Sequence, residues 1–185
     1  MILDGLNYLR DELSFGLGLP ANEVIIENLR VLHQNDNANG LYISLFNIEQ
    51  ENVLKNTPHH TQINNQLRYK EPPVYLNLFV FFAFEFSNYG TSLQRMSDTI
   101  EYFQSKSWFS SENERAANPF PTIMNKMVLE LFSLNFEQMN HIWGVLGGDH
   151  FPSVMYKLRM IKLQRDIDIA GPEITTISIN SSVSN

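Results

Sequence analysis

The chain has 185 residues, 43% apolar and 18% charged, which describes one globular domain, or one domain with a tail, and not a disordered chain. Thirteen Lys and Arg stand against twenty Asp and Glu, a net charge of −7, so the cations that would displace counterions from phosphates are scarce and no nucleic-acid partner is expected. There is no cysteine, which excludes disulfides, thiolate metal sites and thiol nucleophiles.

Near the start, Asp4, Asp11 and Glu12 stand where a signal peptide would carry a basic region and an apolar core, so assembly in the cytoplasm without a signal peptide is expected. In residues 2–17, Leu3, Leu6, Leu9, Leu13 and Leu17 recur at spacings of three and four, predicting one helical face that Gly16 and Gly18-Leu19-Pro20 end. Glu23 to Leu29 reads as a short strand, and residues 35–40 (NDNANG) carry hairpin-type turn chemistry. From Leu41 to about Glu51 the chain alternates as a strand, with Leu41, Ile43 and Leu45 facing one way and Tyr42, Phe46 and Ile48 the other. Between Asn52 and Pro73 the pattern dissolves, and a long loop, functional or disordered, is expected.

Val74 to Phe86 is the strongest strand signal. Leu76, Leu78, Val80, Phe82, Phe84 and Phe86 line one face, and Asn77, Phe79, Phe81, Ala83 and Glu85 the other. Both faces are largely apolar, so the strand is central and helices cover it on both sides. The run is too short, and too interrupted by Asn77 and Glu85, to span a membrane, which needs about 20 apolar residues. Thr91 with Gln94 fits a capping box opening a helix whose stripe is Leu93, Met96, Ile100 and Phe103. Residues 110–121 read as a loop, and Met127 to Leu134 as a strand. Asn135 with Gln138 opens a second helix through Met139, Ile142, Trp143 and Leu146, stopped by Gly147-Gly148. In Val154 to Leu163, Val154, Tyr156, Leu158, Met160 and Lys162 alternate against Met155, Lys157, Arg159, Ile161 and Leu163, the first set mostly facing the core. After Gly171-Pro172, residues 173–180 (EITTISIN) are β-prone.

Little of this carries catalytic chemistry. His59-His60 are adjacent, and His141 and His150 fit no zinc or iron spacing, so no metal or other cofactor is expected. The glycines at 144, 147 and 148 follow a helix, where a phosphate-binding loop would precede one. Glu85 is the one carboxylate whose place on an apolar strand suggests burial and a shifted pKa, with pairing or a strand-end position favoured over catalysis. Lys157 and Arg159 share a strand face that reads as solvated or as a subunit contact.

The stretch from Glu71 to Ala83 (EPPVYLNLFVFFA) with Tyr89, and Ile100 to Lys106 (IEYFQSK), resemble the tube-terminator or cap proteins of extracellular contractile injection systems, of the antifeeding-prophage and virulence-cassette type. Leu134 to Trp143 (LNFEQMNHIW), Leu146-Gly147-Gly148 and Phe151 to Met160 (FPSVMYKLRM) are similar to the same family in order and spacing. The resemblance spans about residues 1–165 and leaves 166–185 as a C-terminal tail. It implies an α/β (α+β), phage tail-terminator-like fold, a mixed central sheet flanked by helices. It further implies a homo-hexameric ring that ends the inner tube and anchors the last sheath layer, with tube and sheath proteins as partners, no membrane partner and no enzymatic activity. Assembly interfaces are expected at Lys157 and Arg159 and at Ile174, Ile177 and Ile179, whose segment either adds to a neighbouring sheet edge or is a loose terminus. An assembly adaptor or chaperone for the same particle is the alternative reading, and an enzyme with an unrecognised site a remoter one.

Overall fold

The computed structural model describes residues 1–34, 38–51, 60–63, 66–69, 73–146, 150–163 and 169–170. The chain runs through α1 (Ile2–Gly16), a 3-10 turn at Ala21–Glu23, β1 (Val24–Ile26), α2 (Leu29–His33), β2 (Gly40–Gln50), β3 (His60–Ile63), β4 (Gln66–Tyr69) and β5 (Val74–Glu85). It continues through α3 (Tyr89–Ser105), β6 (Trp108–Phe109), β7 (Met127–Phe132), α4 (Phe136–Leu146), β8 (Ser153–Leu163) and β9 (Ile169–Ala170). A six-stranded mixed sheet has the order β1-β2-β5-β8-β7-β6, with β1 parallel to β2 and every other pair antiparallel. β3, β4 and β9 form a second, antiparallel sheet.

The two-sided apolar run of β5 sits inside the larger sheet as its alternation demands. Leu78, Val80, Phe82, Phe84 and Phe86 enter one core with Leu6, Leu9 and Leu13 of α1 and Phe103 of α3. Phe79, Phe81 and Ala83 enter the other with Leu29 and Leu32 of α2 and Ile142 and Trp143 of α4. Phe82 has no exposed surface, and its ring meets Phe103 at 5.5 Å and Tyr156 at 5.7 Å, both edge-on. Full burial of such a side chain contributes roughly 1.5–3 kcal/mol, so this one strand anchors both layers.

Several predicted elements change character. The strand expected at 23–29 is cut to β1, because Asn28 caps α2 by accepting from the Arg30 N–H at 3.0 Å. β1 and β2 are parallel, so they are not joined as a hairpin, and residues 35–37 of the predicted turn lie outside the described residues. Gly40 enters β2 at φ +148, where a Cβ would stand 2.5 Å from the Glu23 carbonyl oxygen, so glycine is required. Part of the predicted loop 52–73 is strand: His60–Ile63 pairs with Gln66–Tyr69, and Ile169–Ala170 adds to that pair. Residues 52–59, 64–65 and 70–72 of that loop, Gly147-Gly148, and Ile174, Ile177 and Ile179 lie outside the described residues.

The predicted capping box at Thr91 and Gln94 is not the start of α3. Asn88 caps it, accepting from the Gly90 N–H at 2.7 Å, and Gln94 instead bonds Asp98 at 2.8 Å. Asparagine is the stronger N-cap; of the predicted stripe Phe103 is buried and Met96 packs partly on the core, whereas Leu93 is exposed and Ser92 and Thr99 are buried. Leu3, likewise, is exposed, and the buried face of α1 carries Tyr8 and Glu12 beside Leu6, Leu9 and Leu13. The box at α4 forms as read: the Asn135 N–H donates to Gln138 Oε1 at 3.0 Å and the Gln138 N–H to Asn135 Oδ1 at 2.8 Å. Two bulges interrupt the strand alternation. In β2, Leu45 lies opposite Val80 and Asn47 opposite Phe79, which leaves Phe46 as the extra residue. Ile48 therefore pairs with Leu78, on the Leu41–Ile43–Leu45 face and not on that of Tyr42. In β8, Leu158 lies opposite Leu78 but Ile161 opposite Leu76, so the alternation read from sequence does not carry past the bulge.

Candidate assembly surface

β8 carries Lys157 and Arg159 on the sheet face that Met155 shares with α4. The register sets Lys157 between Phe79 of β5 and Glu130 of β7, and its ammonium lies 5.5 Å from the Phe79 ring centroid. Arg159 bonds Glu130 at 2.9 Å through Nη1 and approaches Glu51 at 3.5 Å through Nη2. The bond to Glu130 holds its pKa above the ordinary arginine value. Asn77 of β5 donates to Glu51 at 3.0 Å. Four elements distant in sequence thus meet in one polar patch: the end of β2, then β5, β8 and β7.

Arg159 is 41% exposed, so its ion pairs are screened and contribute about 0–1 kcal/mol each to stability. Two cations faced by two carboxylates make a balanced surface and not an anion site. What the patch offers is orientation, with a guanidinium held in a fixed direction at the solvent boundary. Asn77 is buried, and its Oδ1 lacks a hydrogen-bond donor among the described residues.

On the opposite side of the sheet lies a charged cluster that reading the sequence missed. Glu12 of α1 has no exposed surface. Its Oε2 accepts from Lys106 Nζ at 2.8 Å and the Tyr102 hydroxyl at 3.0 Å. Its Oε1 accepts from Arg115 Nε at 2.7 Å and Asn118 Nδ2 at 3.0 Å. Burial pushes the Glu12 pKa up, but these four bonds outweigh it and leave the carboxyl below its usual 4.5. Burial, reinforced by the Glu12 charge, pushes the Tyr8 and Tyr102 hydroxyls well above 10. A carboxylate saturated by donors on both oxygens holds no proton to exchange near neutrality, so the cluster ties α1 to α3 and to residues 106–118. The signal was present in the helix: residue 12 falls three and four places after Leu9 and Tyr8, inside the apolar stripe. Glu85, the carboxylate singled out from sequence, is half-buried, and burial raises its pKa.

The His150 ring packs 5.2 Å from Trp143, and His141 is exposed on α4. Among the described residues no group of three or more His, Asp or Glu could hold a metal, and no helix is long and apolar enough to cross a membrane.

The chain is similar in fold to the sheath/tube terminator of PVC, an extracellular contractile injection system, in its extended state, with a TM-score of 0.66 and 13% identity. That match covers 100% of this chain and 64% of the terminator, so this chain spans just under two thirds of the terminator's length. A second solved structure, the tube-terminating cap of the anti-feeding prophage, matches with a TM-score of 0.48 and 16% identity, over 78% of this chain and 49% of the cap. No curated protein matches the sequence. The family described as the Pvc16 N-terminal domain matches residues 6–176, and over that length the chain belongs to it.

Proposed function

We propose that the protein is a structural cap subunit that terminates the inner tube of a contractile injection particle, acting by assembly and not by catalysis. The observation that carries this reading is the family match over residues 6–176, which coincides with a terminator fold spanning the whole chain. Its partners are further copies of itself in a six-membered ring, the tube protein and the protein of the last sheath layer. Residues 1–165 form the terminator domain. Residues 166–185 follow as a tail tied back at β9, where Ile169–Ala170 pairs with β4, and its segment 173–180, with Ile174, Ile177 and Ile179, adds as a strand to a neighbouring subunit or to the sheath. The Lys157–Arg159 patch supplies an oriented polar contact in the assembly. Exposed Leu131 and Phe136, 53% and 96% accessible, supply apolar surface of the kind that subunit contacts cover.

The test is electron microscopy of particles produced with and without the protein, together with the native mass of the purified protein. Tubes of irregular length without it, and a species of six times the 21.4 kDa chain, are expected. Particles of uniform length in its absence would overturn the cap reading. A monomer or dimer that is needed for assembly but absent from finished particles would favour an adaptor.

A further inference from the structure

β1 accompanies β2 only from Val24 opposite Leu41 to Ile26 opposite Ile43, and the Glu27 N–H then donates to the Ile43 carbonyl at 3.1 Å. At Asn28 the chain turns away into α2, while β2 runs on to Gln50. Among the described residues nothing pairs with the flank of β2 beyond Ser44 on the side away from β5. The phase of that flank follows from its other side. The Glu51 N–H donates to the Tyr75 carbonyl at 2.8 Å, and Asn47 and Glu49 lie opposite Phe79 and Asn77. In an antiparallel pair alternate residues bond the partner, so the N–H and C=O groups of Ile48 and Gln50 point outward. Phe46 and Ile48 are 47% and 42% exposed in the same stretch. An edge of this kind is a template for an added strand.

Two clefts flank it. One, of 510 Å³, opens where β1 ends and is lined by Ile26, Leu29, Leu45 and Phe46, with Glu27 at its border. The other, of 330 Å³, lies towards α4 between Phe46, Phe79, Phe132 and Ile142, with Glu49 at its border. Phe46, displaced by the bulge, borders both. Among the described residues neither cleft is lined by Lys or Arg. Ile26, Leu45 and Ile48 share one face of the sheet and Glu27 and Glu49 the other, which suits a strand of alternating apolar and basic side chains.

We propose that the flank of β2 from Leu45 to Gln50 accepts an extended segment of a partner protein as an added strand, continuing the line of β1. That segment alternates apolar side chains, laid beside Leu45 and Ile48 and into the first cleft, with Lys or Arg on the opposite face towards Glu27 and Glu49. Residues 173–180 of a second copy contain Glu173 and no cation, so charge disfavours them at this edge. The inference rests on the sheet itself and not on the protein's ending a tube.

The full-length protein is titrated with three capped eight-residue peptides: one alternating Val and Lys, one alternating Val and Glu, and one copying residues 173–180. Amide hydrogen exchange is the readout. The Val/Lys peptide is expected to slow exchange at Ile48 and Gln50 at least tenfold, saturably, and the Val/Glu peptide to leave it unchanged. Ile48→Pro removes an outward N–H and no bond to β5, so it should abolish that binding without lowering the melting temperature. Gln50→Pro does the same by an independent route should Ile48→Pro fold poorly. No slowing with any peptide, equal slowing by Val/Glu, or unchanged binding in the proline variants would overturn the proposal. Preference for the 173–180 copy would replace the partner protein with a second copy of this chain.

Discussion

Glu12→Gln removes one charge from a site with no exposed surface and two cationic partners. The amide keeps one acceptor oxygen, but its NH2 must face either Lys106 with Tyr102 or Arg115 with Asn118, donors in both cases. Each bond to a charged group contributes about 1.5–3 kcal/mol, and the sum is not additive, because Lys106 and Arg115 are 22% and 23% exposed and rehydrate once released. Breaking a buried pair from one side costs about 3–5 kcal/mol, a large share of the roughly 5–15 kcal/mol that holds a domain folded. With a urea slope of about 2 kcal/mol per molar, the midpoint should fall by about 2 M. The Glu12 pKa is depressed in the folded state, so its contribution is present above the unfolded value of about 4.5 and is lost as pH falls through the folded value. The gap between wild type and variant should therefore be constant above about pH 5 and should narrow in acid below the unfolded pKa. Urea unfolding followed by fluorescence at pH 7, 4 and 3 measures both effects. A loss below about 1 kcal/mol at pH 7, or a gap unchanged at pH 3, would refute the reasoning. Glu12→Leu combined with Lys106→Met and Arg115→Met should recover most of the loss, since an apolar replacement of the whole cluster leaves no charge unpaired.

Phe82→Asp places a carboxylate among Phe103, Tyr156 and the rest of the α1–α3 core, costing several kcal/mol; little soluble protein should be recovered, and a wild-type melting curve would contradict the central place of β5. Arg159→Glu sets a third carboxylate beside Glu51 and Glu130 at a half-exposed site, so stability should fall by only about 1 kcal/mol while ring formation, followed by native mass spectrometry, is lost. Deleting residues 172–185 should leave the urea midpoint unchanged yet yield particles lacking terminal sheath layers or with irregular tubes; normal capping would make the tail a passenger.

Patterns confined to one element were legible in the sequence. The run from Leu76 to Phe86 required a strand buried on both faces, and the structure supplies α1 and α3 over one and α2 and α4 over the other. Asn135 and Gln138 needed only the first turn of α4 to bond each other, so that start was readable as well. Thr91 and Gln94 fitted the same rule and lost to Asn88, because a better cap upstream had already committed the backbone. The bulges at Phe46 and after Leu158 shift a strand by one residue and exchange its faces, and neither leaves a mark in the alternation before it. β3 and β4 carry no apolar alternation to announce them, and only their mutual register identifies them as strands. The partners in both polar clusters were beyond reach for the same reason. Glu12 meets residues 90 to 106 positions away, and Arg159 meets Glu130 across β7 and Glu51 from the end of β2. Sequence periodicity records which way a side chain faces along its own element, whereas the identity of the partner opposite depends on strand order, bulges and helix placement, which are settled only when the whole chain packs.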